Sequence, residues 1–262
     1  MTDLLLQFLP VRVEYAVLFL TRVMALISSS PFLGTASPWS GYKIALGVAL
    51  TIVLLPVSGD PAWQGPSLGL ALVPLVAREL FVGLFMGWIL TSAFASVRAA
   101  GELVTGEMGL SMSTLLDPMS GTHSTVVATL YQTIAGLVFV GVGAHHWVLT
   151  GLAQSFHRIP VGQFDLRLTS VDTLIAVVTR FMEAGLALAA PVLVAMFVVT
   201  VVLGVVSRAV PQLNILDTGY AIRVLAALGS LVMLLPSLRI GLESLFDMTR
   251  GAYLDILPAP PR

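Results

Sequence analysis

The sequence AGLALAAPVLVAMFVVTVVLGVV, at residues Ala184–Val206, decides the fold class of this 262-residue chain. The stretch has no charged side chain, and it is interrupted only by Pro191. Since a helix needs about 20 mostly apolar residues to cross a bilayer, the stretch predicts a membrane helix. Further apolar segments lie on either side of it, at Tyr15–Ile27, Ile44–Val57, Leu80–Val97, Val126–Leu152 and Val224–Leu238. The predicted fold is therefore that of an all-α membrane protein.

The composition supports the same conclusion. Hydrophobic residues make up 57% of the chain and charged residues 10%, and the mean hydropathy is +0.96. A soluble domain has about 25% charged residues, so a soluble enzyme, a nucleic-acid-binding protein and a disordered chain are all poor interpretations. The formal net charge is −1, without a basic block, and the chain contains no cysteine. Disulfides, iron–sulfur clusters and cysteine zinc sites are excluded.

Charged residues occur beside the apolar segments at helical spacing. Arg180 and Glu183 are three positions apart, and Arg98 and Glu102 are four positions apart. Such spacing allows two opposite charges to neutralise each other in an apolar interior. We therefore predict a buried ion pair between Arg180 and Glu183, in helices that pack on protein. The alternative is that these charges extend to water at the ends of ordinary membrane spans.

The stretch Gly101–Gly121, GELVTGEMGLSMSTLLDPMSG, is unusual because it has four glycines and three methionines. It is too polar for a lipid-facing span and too apolar for a solvated loop. Irregular backbone at membrane depth is tolerated only where protein or a cavity surrounds it. Methionine side chains repack easily, so a flexible seal inside a conduit is one interpretation. The other is a helix–loop–helix corner that turns at Asp117-Pro118.

Two stretches near the C-terminus have simpler interpretations. The segment Ser207–Arg223 contains Pro211, which stops a helix, and Gly219, which permits a positive φ, so it predicts a hairpin turn. The segment Arg239–Leu257 is predicted to be an amphipathic helix. Its charged face carries Arg239, Glu243, Asp247 and Arg250, and its apolar face Leu242, Leu245, Phe246 and Tyr253.

The sequence carries no recognisable catalytic motif. The nucleophile elbow, the phosphate loop, the nucleotide fingerprint and HExxH are all missing. His145 and His146 are adjacent, so on a regular helix they are expected to point to different faces and not to bind one metal together. Roles as interfacial or capping histidines are the preferred interpretation, and neither a metal nor a cofactor is predicted.

Six groups of residues, taken in order and with their spacing, resemble the FliR family of flagellar export-gate proteins, called SctT in the related injectisomes. The groups are Arg22 with Pro31-Phe32 and Lys43; Glu79 with Gly83 and Gly87; Ala100-Gly101-Glu102 with Met108-Gly109 and Asp117-Pro118; Gly143-Ala-His145-His146 with Ser155 and Pro160; Ala190-Pro191; and Pro211-Gln-Leu-Asn214 with Gly219. The sequence departs from the family at Leu216, Asp217, Ala221 and Arg223, where phenylalanine, an apolar residue, proline and lysine are usual.

The resemblance implies a non-enzymatic core subunit of the type III export gate. With FliP-like and FliQ-like subunits, such a protein forms the pore for unfolded flagellar proteins. It implies one chain of long helical hairpins, FliP-like over about residues 1–205 and FliQ-like over about 206–257, with a flexible tail at 258–262. FlhB-like and FlhA-like proteins and the basal-body ring are further implied partners, in the bacterial inner membrane, and no nucleic acid is implied.

The resemblance also favours the plug interpretation of the Met- and Gly-rich stretch. The predicted plug and gating residues are Gly101, Glu102, Gly106, Glu107, Met108, Gly109, Met112, Asp117, Pro118 and Met119. The predicted hairpin and subunit-interface residues are Pro191, Pro211, Gln212, Asn214 and Gly219. The rival functions are a stand-alone secondary transporter or channel for a small solute, and an intramembrane enzyme that uses histidines and acids.

Overall fold

A computed structural model describes residues 2–31, 40–58, 72–108, 126–164, 171–209 and 215–255, which contain helices and turns but no strand. The helices are α1 Thr2–Ser29, α2 Ser40–Ser58, α3 Leu72–Met108, α4 Val126–Gly141, α5 Ala144–Arg158, α6 Val171–Ala209, α7 Ile215–Met233 and α8 Leu235–Asp255. The prediction of an all-α fold is confirmed over these ranges.

Two of the described helices are long and apolar enough to cross a membrane. They are α3 and the part of α6 from Leu174 to Ala209. The number rises to four if each of the bent pairs α4–α5 and α7–α8 is counted as one span. By length and composition, the chain has the helices of a multi-pass membrane protein.

The helix boundaries show how two of the apolar segments are folded. The apolar run Val126–Leu152 is two helices, because Gly143 has φ +68°, a left-handed conformation that glycine adopts without steric cost. Conversely, α6 continues through Pro191 as a single 39-residue helix. Its apolar side chains are enough to keep the helix intact although proline removes one backbone donor.

The amphipathic pattern predicted for the C-terminal segment is confirmed in α8. Leu242, Leu245 and Phe246 are almost completely buried, whereas Arg239 and Asp247 are exposed. This face therefore packs on the chain itself.

The chain divides into two compact units. The described residues of unit 1 fall within Met1–Ser92, Gly143–Val177 and Met248–Arg262, and those of unit 2 within Ala93–Val142 and Val178–Asp247. Helices α3, α6 and α8 each contribute to both units.

In unit 1, α1 and α3 approach closely where α3 carries glycine. A methyl group at Gly83 would collide with the carbonyl oxygen of Arg22 and would lie 2.6 Å from Cβ of Ala25. Two turns farther along α3, Thr91 Oγ1 donates a 2.6 Å hydrogen bond to the carbonyl oxygen of Ser29. Small residues at such crossings allow close backbone packing where water supplies no driving force.

Unit 2 combines close helix crossings with an aromatic core. A methyl group at Gly101 would lie 2.5 Å from Cα of Ala128 in α4. The rings of Phe94, Phe139 and Phe246 contact one another, with centroid distances of 5.6, 5.7 and 5.2 Å. Each ring comes from a different helix, so this cluster joins α3, α4 and α8.

Candidate functional site

A fully buried ion pair lies in unit 1. Nε of Arg22, in α1, donates a 2.6 Å hydrogen bond to Oε2 of Glu79, in α3, and both side chains are fully buried. The guanidinium also lies 4.3 Å above the ring of Phe156, in α5. A buried charge is tolerated only when it is paired and hydrogen-bonded.

The remaining polar atoms of the pair bind the end of α5 and the turn after it. Arg22 Nη1 donates to Ser155 Oγ at 3.2 Å, and Nη2 donates to the carbonyl oxygen of Ile159 at 3.1 Å. Glu79 Oε1 accepts from the backbone N–H of Gly162 at 2.7 Å. Gly162 has φ +80°, which lets the turn present this N–H to the carboxylate.

Four segments of unit 1 therefore meet at one charged centre: α1, α3, α5 and the turn at 159–164. Both carboxylate oxygens of Glu79 and all three guanidinium nitrogens of Arg22 have partners. Each of these bonds joins Arg22 or Glu79 to another segment, so the ion pair holds the four segments together. We call Arg22, Glu79, Ser155 and Gly162 the charged clamp.

Arg22 and Glu79 belong to the residue pattern that resembles the FliR family, but no site role was predicted for them. The pair is separated by 57 positions, so local helical spacing does not reveal it. The one available signal was Arg22 itself, a cation inside the apolar run Tyr15–Ile27. Such a residue requires a partner from elsewhere in the fold.

The beginning of the predicted plug is regular helix. Residues 101–108 form the last two turns of α3, so the irregular backbone predicted from Gly101 does not begin before Met108. Gly101 packs on Ala128, and Met108 is fully buried, whereas Gly106 has open space around it. Gly109, Met112, Asp117, Pro118 and Met119 lie outside the described residues.

Two acidic residues in the helical part of this segment are at the surface of the isolated chain. Glu102 and Glu107 are exposed, and Glu102 Oε1 accepts a 2.8 Å hydrogen bond from Arg98 Nε. The pair expected from the four-residue spacing of Arg98 and Glu102 therefore forms. Its two side chains are about half exposed, so it is a surface pair.

The buried ion pair predicted at Arg180 and Glu183 is wrong for the isolated chain. Both side chains are exposed in α6, and no salt bridge joins them. Glu183 instead borders a half-open groove of about 300 Å³, whose walls include Leu103 of α3 and Leu186 of α6. The three-residue spacing put the two charges near each other in sequence, but that face of α6 is not covered within unit 2.

The predicted hairpin residues lie on or between α6 and α7. Pro191 is exposed in the interior of α6, and Gly219 is buried in α7. Pro211, Gln212 and Asn214 lie outside the described residues. The flanking helices end at Ala209 and begin at Ile215, which are both inside the segment Ser207–Arg223 that was predicted as a turn. The prediction is therefore wrong for residues 215–223, where Gly219 is part of a helix.

The histidine pair differs from the sequence expectation in one respect. The rings of His145 and His146 are 4.1 Å apart, so they do not point to different faces of α5. Both are exposed. Within the part of the chain that the structure describes, no group of three histidine, aspartate or glutamate residues is arranged to hold a metal ion.

The C-terminal half of α6 leaves a large apolar surface uncovered. In the part of α6 from Leu174 to Ala209, only 22% of the most apolar 18 residues are buried. The exposed fractions of Phe197, Val201 and Val205 are 67%, 51% and 65%. In α7, which is hydrogen-bonded to α6 through Arg223 and Thr200, Leu225 is 70% exposed. An apolar area of this kind needs lipid or another protein to cover it.

Comparison with known proteins gives consistent results over most of the chain. The family model described as "Bacterial export proteins, family 1" matches residues 13–249. The flagellar biosynthetic protein FliR of Escherichia coli (strain K12) is 29% identical over 242 residues, which are 92% of each chain. FliR of Pectobacterium carotovorum subsp. carotovorum is 31% identical over 236 residues, or 90% of each chain. The surface presentation of antigens protein SpaR of Shigella flexneri is 26% identical over 59% of each chain.

Proposed function

This chain belongs to family 1 of the bacterial export proteins, and we propose that it is a core, non-enzymatic subunit of a flagellar type III export gate. In this role it forms, with FliP-like and FliQ-like subunits, the pore through which unfolded flagellar proteins pass. The gate lies in the bacterial inner membrane within the basal body, next to FlhB-like and FlhA-like export proteins. The FliP-like portion over about 1–205 and the FliQ-like portion over about 206–257 are part of this proposal.

The observation that carries the proposal is the family match over residues 13–249, together with relatives named FliR that are matched over about 90% of their length. A flagellum is favoured over an injectisome because the match extends over 92% and 90% of the length of two FliR relatives. It extends over only 59% of the length of SpaR.

The uncovered apolar surface of α6 supports a shared pore over a solitary bundle. A self-contained transporter is expected to bury the faces between its own helices, but most of this helix is uncovered in the isolated chain. In the export gate, neighbouring subunits cover that surface. The charged clamp keeps unit 1 rigid while unit 2 contributes the uncovered helix.

Gating is assigned to the stretch 101–121. It closes the pore by apolar packing of methionine side chains, which adapt to an irregular gap. Met108, fully buried at the end of α3, anchors the segment, and a methyl group at Gly106 would have no atom within 4 Å.

The test is gene deletion followed by complementation. We expect the deletion strain to be non-motile and to retain flagellar rod and hook proteins inside the cell, and the wild-type gene to restore both. A tagged copy is expected to co-purify with FliP-like and FliQ-like chains. Normal export in the deletion strain would exclude the proposed function, and a purified solitary chain that moves a small solute would favour the transporter.

A further inference from the structure

Arg223 is a cation in an apolar helix hairpin with very few partners. It lies in α7, where Nη2 donates a 3.2 Å hydrogen bond to Thr200 Oγ1 of α6. The hydroxyl of Thr200 in turn donates to the carbonyl oxygen of Met196 at 2.9 Å. Since arginine has five N–H donors, four of them have no protein partner among the described residues.

Among the side chains that the structure describes, no carboxylate forms a salt bridge with this guanidinium. The salt bridges among the described residues join Arg22, Arg98 and Arg239 to acids elsewhere. The side chain of Arg223 is half-buried, so part of its hydration is already removed. An unpaired cation in such surroundings is costly, and it normally marks a contact that the isolated chain does not contain.

The surroundings of Arg223 are apolar, and they are not covered by this chain. Ile222 and Leu225 beside it are 42% and 70% exposed, and Val201 across the hairpin is 51% exposed. Arg223 is eight positions beyond Ile215, which corresponds to about 12 Å along the helix from its first residue. The cation therefore lies within the hairpin and not at its tip, where an arginine reaches water easily.

We propose that Arg223 and the apolar surface around it bind a membrane helix of another export-gate subunit, and that this helix carries an aspartate or glutamate in an otherwise apolar face. The carboxylate completes a bidentate pair with the guanidinium, the geometry that arginine is best suited to make. The apolar side chains around the two charges exclude water, so the pair fixes the register of the two helices. This inference rests on the proposed function, because it assumes that neighbouring gate subunits cover α6 and α7.

The experiment compares Arg223→Glu, Arg223→Met and Arg223→Lys in the complemented deletion strain. The matched control is Arg208→Glu, which reverses a charge on the exposed last turn of α6 in the same hairpin. We expect Arg223→Glu to reduce co-purification of the partner chains by about thirty-fold or more, as for a broken buried charge pair. Arg223→Lys should retain most of it, and Arg208→Glu should change it less than two-fold.

Motile revertants of Arg223→Glu identify the partner. We expect substitutions of a single acidic residue, to lysine, arginine or a neutral residue, in an apolar helix of another gate subunit. Such a revertant also shows that the variant chain folds. Revertants confined to acidic residues of this chain would overturn the proposal. The proposal would also be overturned if native mass spectrometry showed that the Arg223 variants keep their partner subunits but lose bound anionic phospholipid.

Different results exclude the proposed function and the proposed role of Arg223. If the wild-type gene does not restore export, the proposed function is wrong. If the wild-type gene restores export and Arg223→Glu does so equally well, only the inference about Arg223 is wrong.

Discussion

Arg22 of α1 and Glu79 of α3 form a fully buried ion pair with an Nε–Oε2 distance of 2.6 Å, and the same two side chains bind the end of α5 and its following turn. Because the pair joins four segments of unit 1, it determines how these helices are positioned. Arg22 and Glu79 both belong to the residue pattern that resembles the FliR family, and in this chain they hold the helices of unit 1 in place.

Removal of one member of this pair is expected to destabilise the protein strongly. Arg22→Met or Glu79→Leu alone leaves a buried charge without a partner, at a cost of about 3–5 kcal/mol. The double variant removes both charges, so it should be less destabilised than the sum of the two single variants. It should not reach wild-type stability, because Gly162 N–H and the carbonyl of Ile159 lose their partners. Thermal unfolding of the detergent-solubilised gate measures this, and strictly additive effects would contradict the clamp.

Gly101 and Gly106 are expected to respond in opposite ways to alanine. At Gly101 the new methyl group would lie 2.5 Å from Cα of Ala128, so Gly101→Ala should destabilise unit 2 by about 1–3 kcal/mol. At Gly106 no atom lies within 4 Å, so alanine should stabilise the helix by about 0.5–1 kcal/mol.

The variant Gly106→Ala also tests whether Gly106 takes part in gating. If the turn at Gly106 moves when the gate opens, Gly106→Ala should lower secretion of hook protein although the complex assembles normally. Unchanged secretion by this variant would remove Gly106 from the gating residues.

Glu102 offers a test of the predicted gating residues. Its pair with Arg98 is about half exposed, so Glu102→Gln should change stability by at most about 0.5 kcal/mol. Because so small a change in stability should not affect assembly, a clear loss of export by Glu102→Gln would indicate that Glu102 acts in the pore. The measurement is secreted hook protein relative to the amount of assembled gate, with Glu243→Gln, from the exposed pair with Arg239, as the control.

The plug is tested by deletion of residues 109–116. Met108 is retained because it is fully buried in unit 2. Its removal could unfold the protein, and a leak could then not be attributed to the loss of the plug. We expect the gate to assemble but the resting membrane to become permeable to small solutes, since the apolar seal is lost. Conductance equal to that of the wild type would exclude the plug role of this stretch.

Local patterns in the sequence predicted several features of the fold correctly. The apolar runs predicted an all-α membrane protein, and the four-residue spacing of Arg98 and Glu102 predicted a pair that forms at 2.8 Å. The alternation of charged and apolar residues after Arg239 predicted the buried face of α8. Each of these depends on residues within a few turns of one helix.

Contacts between distant segments could not be predicted in this way. The Arg22–Glu79 pair spans 57 positions, and the spacing of Arg180 and Glu183 suggested a buried pair that the isolated chain does not form. The break in the run Val126–Leu152 depends on the left-handed conformation of Gly143, which the apolar pattern around it conceals. Helix spacing identifies which side chains share a face, but the packing of other helices determines what covers that face.

Native mass spectrometry of the tagged chain, purified in mild detergent from its own host, tests the proposed export gate most directly. We predict one assembly that contains this chain together with FliP-like and FliQ-like subunits, because in the proposed gate these subunits cover the exposed apolar surface of α6 around Val201 and Val205. A stable species that contains this chain alone, under conditions in which the FliP-like and FliQ-like proteins are present and intact, would contradict it.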